Sequence, residues 1–293
     1  MSTLVKKRLT GKKIGRGTRN LLTVLFAVIY LIPLYVAVVY LIPLYVAVVN
    51  SFKTYWEVIK SPLALPSSPT LENFTEAFHA SNILSLYGTS ILITFTSVAL
   101  LVLISSTAAY IIIRRKNRFC KFLYGYALIG IMVPPVVTLV PSIKTLSMLG
   151  LMYTPWGLLM FYGGAYFSTT IFLYTGFINS IPVTLDESAY IDGAGTIRIF
   201  FRIIFPLLKP CTATAVILMG MWIWNDFLNP MYILGSTAGK TITTGIYNSI
   251  GAYTSKWNLV FANVILASVP IVALYLCMQK QFMTGLTAGA VKG

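Results

Sequence analysis

Long runs without charged side chains alternate with short polar segments along the 293 residues. One such run covers 33 residues between Arg19 and Lys53, and another covers 34 residues between His79 and Arg114. A bilayer core of about 30 Å needs roughly 20 helical residues, so runs of this length predict membrane spans. The pattern predicts an all-α membrane protein with six transmembrane helices, at residues 20–49, 86–113, 120–141, 156–178, 211–234 and 259–279.

The distribution of basic residues predicts how the chain is oriented. If the N-terminus lies inside, the inner segments hold 17 of the 22 Lys and Arg residues, and the outer loops hold 5. Because cytoplasmic loops are enriched in Lys and Arg, both termini are predicted to be cytoplasmic. The predicted order is a basic cytoplasmic tail (1–19), the first helix (20–49), an outer loop (50–85), a transmembrane core (86–280) with a cytoplasmic loop (179–210), and a cytoplasmic C-terminal tail (281–293).

The composition excludes several classes of protein. The chain is 57% hydrophobic and 10% charged, whereas soluble domains run near 45–50% and about 25%. A net charge of +15 is typical of nucleic-acid-binding proteins, but six apolar spans exclude that function, and the basic residues record membrane orientation instead. The chain has one histidine, His79, and three widely separated cysteines. We therefore expect no metal site and no catalytic centre.

The first predicted helix contains a tandem repeat. Tyr30–Val39 and Tyr40–Val49 both read YLIPLYVAVV. With both copies, residues 20–49 would form a helix about 45 Å long, which exceeds the bilayer core. A local duplication explains the repeat more simply than a function does. Pro33 and Pro43 are predicted to kink or break the helix.

The loop between predicted spans four and five carries the clearest motif. Thr184 and Glu187 match a Thr-x-x-Glu capping box, which predicts a short helix beginning at Leu185. Gly193 and Gly195 can end this helix in a left-handed turn.

A second helix is predicted in this loop from Ile197 to about Phe205, with Arg198 and Arg202 on a separate face. Its predicted apolar face consists of Ile197, Phe200, Phe201 and Ile204. Such a helix–glycine–helix unit suits docking to a partner, because Gly193 allows close approach. The alternative is an amphipathic connector that lies on the membrane surface.

The same stretch resembles the EAA loop of permease subunits from ATP-binding-cassette importers, whose pattern is E-A-A-x-x-D-G-A, five residues, then F-x-x-I-x-x-P. The matching positions are Glu187, Ser188, Ala189, Asp192, Gly193, Ala194, Phe200, Ile203 and Pro206. Only Ser188 departs, by replacing one alanine with another small residue. In that family the loop forms the coupling helix that docks into a groove on the ATPase subunit. The resemblance therefore implies that these nine residues couple the chain to an ATPase.

The resemblance extends over roughly residues 15–293 and is closest to the second permease of bacterial carbohydrate importers, the maltose-permease MalG type. It is supported by stretches at residues 132–135, 149–151, 224–228 and 285–293. It implies the type I importer permease fold, in the bacterial cytoplasmic membrane and in contact with its lipid. The implied partners are a second permease in a heterodimer, two ATPase subunits, an external solute-binding protein and a carbohydrate substrate. ATP and Mg²⁺ would bind to the ATPase subunits, and this chain would hold no cofactor.

Asp226 is the single acidic residue predicted inside a span, and such a residue is by default a functional candidate. Aromatic and amide side chains surround it in sequence, and they suit a sugar through apolar stacking and hydrogen bonds. The candidate substrate pathway consists of Trp222, Trp224, Asn225, Asp226 and Asn229. The alternative is an aromatic belt at the outer interface with a structurally paired Asp226.

Two other functions remain open from the sequence. A permease of the same family could carry another solute, such as a polyol phosphate. A self-sufficient secondary transporter would need intramembrane proton or ion relays, for which the chain offers only Asp226.

Overall fold

The computed structural model describes residues 16–115, 117–235, 239–252 and 256–290, and within these ranges every regular element is a helix. This confirms the predicted all-α class for the described part of the chain; the first 15 residues of the predicted basic tail lie outside it. In chain order the helices are α1 Arg16–Ser51, α2 Tyr55–Lys60, α3 Glu72–Ala80, α4 Ile83–Arg115, α5 Arg118–Met132, α6 Pro135–Met148, α7 Pro155–Ile178, α8 Thr184–Ile191, α9 Thr196–Leu207, α10 Lys209–Asn225, α11 Leu228–Ile233, α12 Ile242–Ala252 and α13 Trp257–Ala290.

The core of the fold is the long contact between α4 and α7, to which α10 adds a third helix. Ser97, Ser105 and Ser106 are buried along α4. Small side chains at such positions let helix backbones approach closely, which is the usual way helices associate in membranes. The helix α7 is capped at its N-terminus by Thr154, whose hydroxyl accepts a hydrogen bond from the Gly157 amide at 3.1 Å. These three helices position both candidate sites described below.

The helix α1 runs without interruption through the tandem repeat. Its 36 residues include Pro33 and Pro43 in the interior, so of the two predicted effects, a kink or a break, the break does not occur. Each proline removes only one backbone donor, and the remaining hydrogen bonds keep the helix continuous. Every residue of the segment 30–45 is exposed, which leaves an apolar surface for lipid. The end of the helix is buried from Val49 to Ser51 and packs against α13.

The segment that follows α1 folds around a buried lysine. The Lys53 ammonium donates hydrogen bonds to the Ser61 carbonyl at 2.8 Å and to Asn50 Oδ1 at 3.2 Å. The Asn73 amide donates to the backbone carbonyls of Ser51 at 2.8 Å and Lys53 at 2.7 Å. These bonds satisfy polar groups that would otherwise be costly to bury. They hold α2 and α3 against the end of α1.

The predicted third span, 120–141, is two helices rather than one. The helix α5 ends at Met132, and α6 begins at Pro135. Val133 and Pro134 each precede a proline and have ψ angles of 118° and 131°, because the ring of the following proline disfavours helical backbone at the residue before it. The two prolines therefore turn the chain at this point.

Three described helical segments are long and apolar enough to cross a membrane, and counting each of two bent helix pairs as one span gives five. The three are Tyr30–Ser51, Ile83–Arg115 and Trp257–Lys280. The helix α7, the predicted fourth span, has 24 residues and would be about 36 Å long, but glycine, tyrosine, serine and threonine lower its apolar content. The six-span count therefore stays a prediction. The last helix, α13, continues beyond the predicted 259–279 into the predicted tail, as far as Ala290.

Candidate functional site

The candidate coupling loop begins with α8, one residue earlier than predicted. Val183 already has helical backbone angles, Thr184 is the first helical residue, and no side chain caps the helix. The predicted capping box is therefore wrong, because the Val183 carbonyl instead accepts the Asp186 and Glu187 amides at 2.9 and 3.1 Å. Asp186 and Glu187 do lie in the first turn, where negative charge is stabilised by the helix dipole.

The end of α8 is a Schellman motif centred on Gly193. Gly193 has a φ of +79°, its amide donates to the Tyr190 carbonyl at 3.0 Å, and the Ala194 amide donates to the Ala189 carbonyl at 3.0 Å. The left-handed turn predicted at Gly193 is therefore present. Gly195 does not share it, since its φ is −71° and it precedes α9 in extended conformation.

The helix α9 contains a π-helical segment, Phe200–Ile204. A π turn includes more residues than an α turn, so the predicted apolar face of this helix is wrong in part. Ile197 is 77% exposed and Phe201 is 45% exposed, although Phe200 and Ile204 are buried as expected. The buried positions of the segment and its flanks are Ile199, Phe200, Ile204 and Leu208.

The nine EAA positions fall into an exposed set and a packing set. The exposed set is Glu187, Ser188, Asp192, Gly193 and Pro206. The packing set consists of Ala189 and Phe200, which are buried, and Ala194 and Ile203, which are half-buried, in one hydrophobic cluster with α4 and α7. The motif thus combines residues that hold the two helices together with residues that face outward.

An open groove of about 710 Å³ lies beside Gly193 and runs along α9, where Ile197, Arg198, Phe201 and Arg202 line it. Apart from its chain neighbours, no atom lies within 4 Å of the position that a Gly193 side chain would occupy, so space is free above this residue. The lining of the groove includes two apolar side chains and two guanidinium groups, and the exposed Asp192 directly precedes Gly193 in the chain. This combination can bind a partner that offers both apolar and charged side chains.

Beneath α8 lies a buried ionic network that the sequence did not predict. Arg114 Nη2 at the end of α4 is 2.8 Å from Asp186 Oδ2, and the Tyr110 hydroxyl donates to Asp186 Oδ1 at 2.5 Å. The Arg114 guanidinium also donates to the Ile181 carbonyl at 3.3 Å. The only sequence signal for this network was that Asp186 belongs to the cluster of three acids in the loop.

The second candidate site is centred on Asp226, which lies at a helix break rather than inside a continuous span. The helix α10 ends at Asn225, Asp226 is extended, and α11 begins at Leu228. The predicted span 211–234 is therefore interrupted. The carboxylate accepts hydrogen bonds from the Asn229 backbone amide at 3.3 Å and from its side chain at 2.6 Å. The carboxylate thereby satisfies one backbone donor in the first turn of α11.

Two tyrosines that the sequence analysis missed complete this site. The Tyr162 hydroxyl on α7 donates to Asp226 Oδ2 at 2.9 Å. Tyr166, one turn along, stacks on Tyr162 with ring centroids 5.8 Å apart and lies 5.5 Å from the Trp222 ring. Their spacing of four residues on one helix was the available signal. Together these side chains form an aromatic column against a hydrogen-bonded carboxylate.

Four of the five predicted pathway residues line one cavity of about 330 Å³. They are Trp222, Asn225, Asp226 and Asn229, and Tyr166 lines it with them. Trp224 does not belong there, because its indole nitrogen donates to the Ala267 carbonyl at 3.2 Å and its ring stacks on Tyr87. The helical period explains the difference: residues 222 and 224 are two apart and face different sides of α10.

The described residues contain no group of three His, Cys, Asp or Glu side chains that could hold a metal ion. The chemistry available at the Asp226 cavity is thus that of aromatic faces, amides and one carboxylate. Such a cavity can bind hydroxyl groups through hydrogen bonds and an apolar ring face through stacking.

Comparison with known proteins identifies the class of this chain. Residues 101–286 match the family described as "Binding-protein-dependent transport system inner membrane component". The chain is 36% identical over 229 residues to the melibiose/raffinose/stachyose import permease protein MelC of Bacillus subtilis (strain 168), covering 78% of this chain and 83% of that protein. It is also 36% identical over 240 residues to the multiple sugar-binding transport system permease protein MsmG of Streptococcus mutans, covering 80% of this chain and 86% of that protein.

The fold agrees with a solved structure of a bacterial ABC transporter involved in the import of the acidic polysaccharide alginate, with a TM-score of 0.78 and 20% identity, covering 92% of this chain and 99% of that chain. The chain therefore belongs to the family of binding-protein-dependent transport system inner membrane components. It is a membrane-embedded permease subunit and not an enzyme, as the sequence predicted.

Proposed function

We propose that this chain is the permease subunit of an ATP-driven oligosaccharide importer. The observation that carries the proposal is the 36% identity, over most of the chain, to permeases named for the import of melibiose, raffinose, stachyose and multiple sugars. The Asp226 cavity supports it, since aromatic rings and hydrogen-bonding side chains suit a sugar.

In this proposal the chain crosses the membrane six times, with α7 as a span and each bent pair forming one span. Both termini and the α8–α9 loop lie in the cytoplasm. The excess of Lys and Arg on that side supports this orientation. The chain forms a heterodimer with a second permease, and a solute-binding protein delivers sugar from the opposite side.

The α8–α9 loop is the coupling element in this proposal. The exposed side chains of Glu187 and Asp192 and the open space above Gly193 form the surface that an ATPase subunit contacts. Two ATPase subunits bind ATP and Mg²⁺, and this chain binds neither. ATP binding closes the ATPase dimer, draws the coupling loops of the two permeases together and opens the pathway outward to receive sugar. Hydrolysis then reverses these movements.

The docking surface is tested with the complete transporter, purified with its second permease and ATPase subunits. We expect Gly193→Asp and Glu187→Lys to lower ATPase activity by about tenfold or more, because each places an unfavourable group in a closely fitted interface. Lys209→Glu, a charge change at an exposed residue beyond the motif, should leave ATPase activity near wild type. Wild-type coupling in both loop variants would contradict the docking assignment.

The sugar pathway is tested by uptake into vesicles that contain the whole complex. We expect Trp222→Ala to lower the uptake rate by about tenfold, through the loss of one stacking surface. Trp257→Ala is the matched control, since Trp222 and Trp257 are 44% and 48% exposed and Trp257 lies outside the cavity. Equal uptake by the two variants would remove Trp222 from the pathway.

A further inference from the structure

Asp186 differs from the other acidic residues of the loop because it faces the protein. It is 4% exposed, whereas its neighbour Glu187 and the more distant Asp192 are exposed. A buried carboxylate is stable only if it is paired and hydrogen-bonded. Both conditions are met by residues of α4, since Arg114 forms the ion pair and Tyr110 donates a hydrogen bond.

One turn of α4 is thereby connected to three points of the loop. Arg114 contacts the loop entrance at the Ile181 carbonyl and the first turn of α8 at Asp186. Tyr110 contacts the same Asp186, and its ring packs on Phe200 of the π segment with centroids 5.2 Å apart. Because the two residues are four apart, they lie on one face of α4.

Beyond Asp186, α8 buries little side-chain surface against the rest of the protein. Apart from Asp186, its only buried residue is Ala189, and a methyl group buries little surface. Within α8 itself, the direct contacts that can pass a force to the bundle are therefore the polar ones of Asp186 and the small apolar one of Ala189. Removing one partner of a buried ion pair leaves an uncompensated charge, which is a severe change.

We propose that Tyr110 and Arg114 are positioning residues that hold α8 through Asp186, so that movement of the coupling loop is passed to α4. This inference rests on the proposed docking of the loop to an ATPase. Its distinguishing consequence is that weakening the network uncouples hydrolysis from transport while the ATPase subunits remain bound.

The test uses the complete transporter in vesicles with its binding protein, and measures sugar taken up per ATP hydrolysed. Tyr110→Phe removes only the hydroxyl and keeps the ring on Phe200, and Asp186→Asn removes only the charge. We expect each to lower uptake per ATP by about tenfold, the size typical of residues that share one network. Arg115→Gln, at the exposed neighbouring position, is the control and should match wild type.

Two further variants separate positioning from mere stability. The double variant Tyr110→Phe with Asp186→Asn should lose less coupling than the two single losses combined, because the first change removes the Tyr110–Asp186 hydrogen bond and the second weakens the same bond. Arg114→Lys should retain more coupling than Arg114→Gln, since it keeps the charge without the guanidinium fork. Wild-type uptake per ATP in all of these variants would overturn the inference. So would loss of ATPase binding in Tyr110→Phe and Asp186→Asn alike, because the network would then be purely structural.

Failure of this inference is distinguishable from failure of the proposed docking. If Gly193→Asp and Glu187→Lys impair ATPase activity but the network variants couple normally, only the inference fails. If the two surface variants couple normally, the docking assignment fails, whatever the network variants show.

Discussion

At the residue scale, the EAA stretch assigns different tasks to adjacent side chains. Glu187 faces outward while Asp186 is buried against α4, although the two are neighbours in sequence. A helix turns by about 100° per residue, so adjacent carboxylates can face different environments. The EAA pattern includes the outward-facing Glu187. Asp186, which anchors the helix, lies immediately before the pattern.

Gly193 is required by its backbone conformation rather than by crowding within the chain. Its φ of +79° is unfavourable for a residue with a side chain, so we expect Gly193→Ala to destabilise the chain by about 1 kcal/mol. Gly195→Ala is the matched control, because Gly195 has an ordinary φ and equal free space. Thermal unfolding in detergent compares the two variants, and equal melting temperatures would contradict the argument.

We expect Glu57 on α2 to make the loop 50–85 sensitive to acid. Hydrogen bonds from Ser67 and then Thr54 lower the pKa of the Glu57 carboxyl. A carboxyl that is more acidic in the folded state stabilises the fold above its unfolded pKa of about 4.3, and this contribution is lost as the pH falls through the folded value. We therefore expect proteolysis of this loop to increase as the pH falls below about 4.3 toward the folded pKa of Glu57. The acid-dependent step should disappear in Glu57→Gln and persist in Glu72→Gln.

At the element scale, the apolar pattern located the helices but not their interruptions. Spans 86–113 and 156–178 agree with α4 and α7, whereas the breaks at Val133–Pro134 and at Asp226 were missed. The pattern of apolar residues indicates which residues are kept from water. Both halves of a broken span are equally apolar, so this pattern does not reveal the break between them. The consecutive prolines were a sufficient local signal for the first break. The second break depends on the Asn229 and Tyr162 hydrogen bonds, which only the folded chain brings together.

The start of α7 depends on a close contact at Gly157. A Cβ there would clash with the Leu151 carbonyl oxygen, which is part of the backbone and cannot rotate away. We expect Gly157→Ala to destabilise the fold by about 1–3 kcal/mol. Gly164→Ala, on the same helix with open space around it, should be neutral or stabilise by up to about 1 kcal/mol through helix propensity. Unfolding in detergent measures both, and an unaffected Gly157→Ala would refute the predicted clash.

At the scale of the whole molecule, the sequence predicted the helical class and the family, but not the long-range pairs. Asp186 meets Tyr110 across 76 positions, and Asp226 meets Tyr162 across 64. No local period specifies such a pair, because it depends on how α4, α7 and α10 pack. Most of the candidate residues could therefore be found from the sequence, while their buried partners could not.

The tandem repeat gives a prediction for the entire assembly. Because residues 30–45 make few contacts within the chain, a variant lacking ten residues, 30–39, should assemble and transport sugar like the wild type. Its first helix would shorten from about 54 Å to about 39 Å, still long enough to span the bilayer core. Vesicle uptake by the complete transporter checks this expectation. A large loss of uptake would mean that the added length contacts a partner subunit.

The continuity of α4 has a mechanical consequence. Ser90 near its other end accepts a hydrogen bond from the Ile242 amide at 2.7 Å, and Tyr110 lies 20 residues further on, a distance of roughly 30 Å along the axis. A rod of that length that tilts by about 10° moves its far end by roughly 5 Å. One uninterrupted helix can thus act as a lever arm, converting a small displacement at Asp186 into a movement at the start of α12, beside the other end of α4.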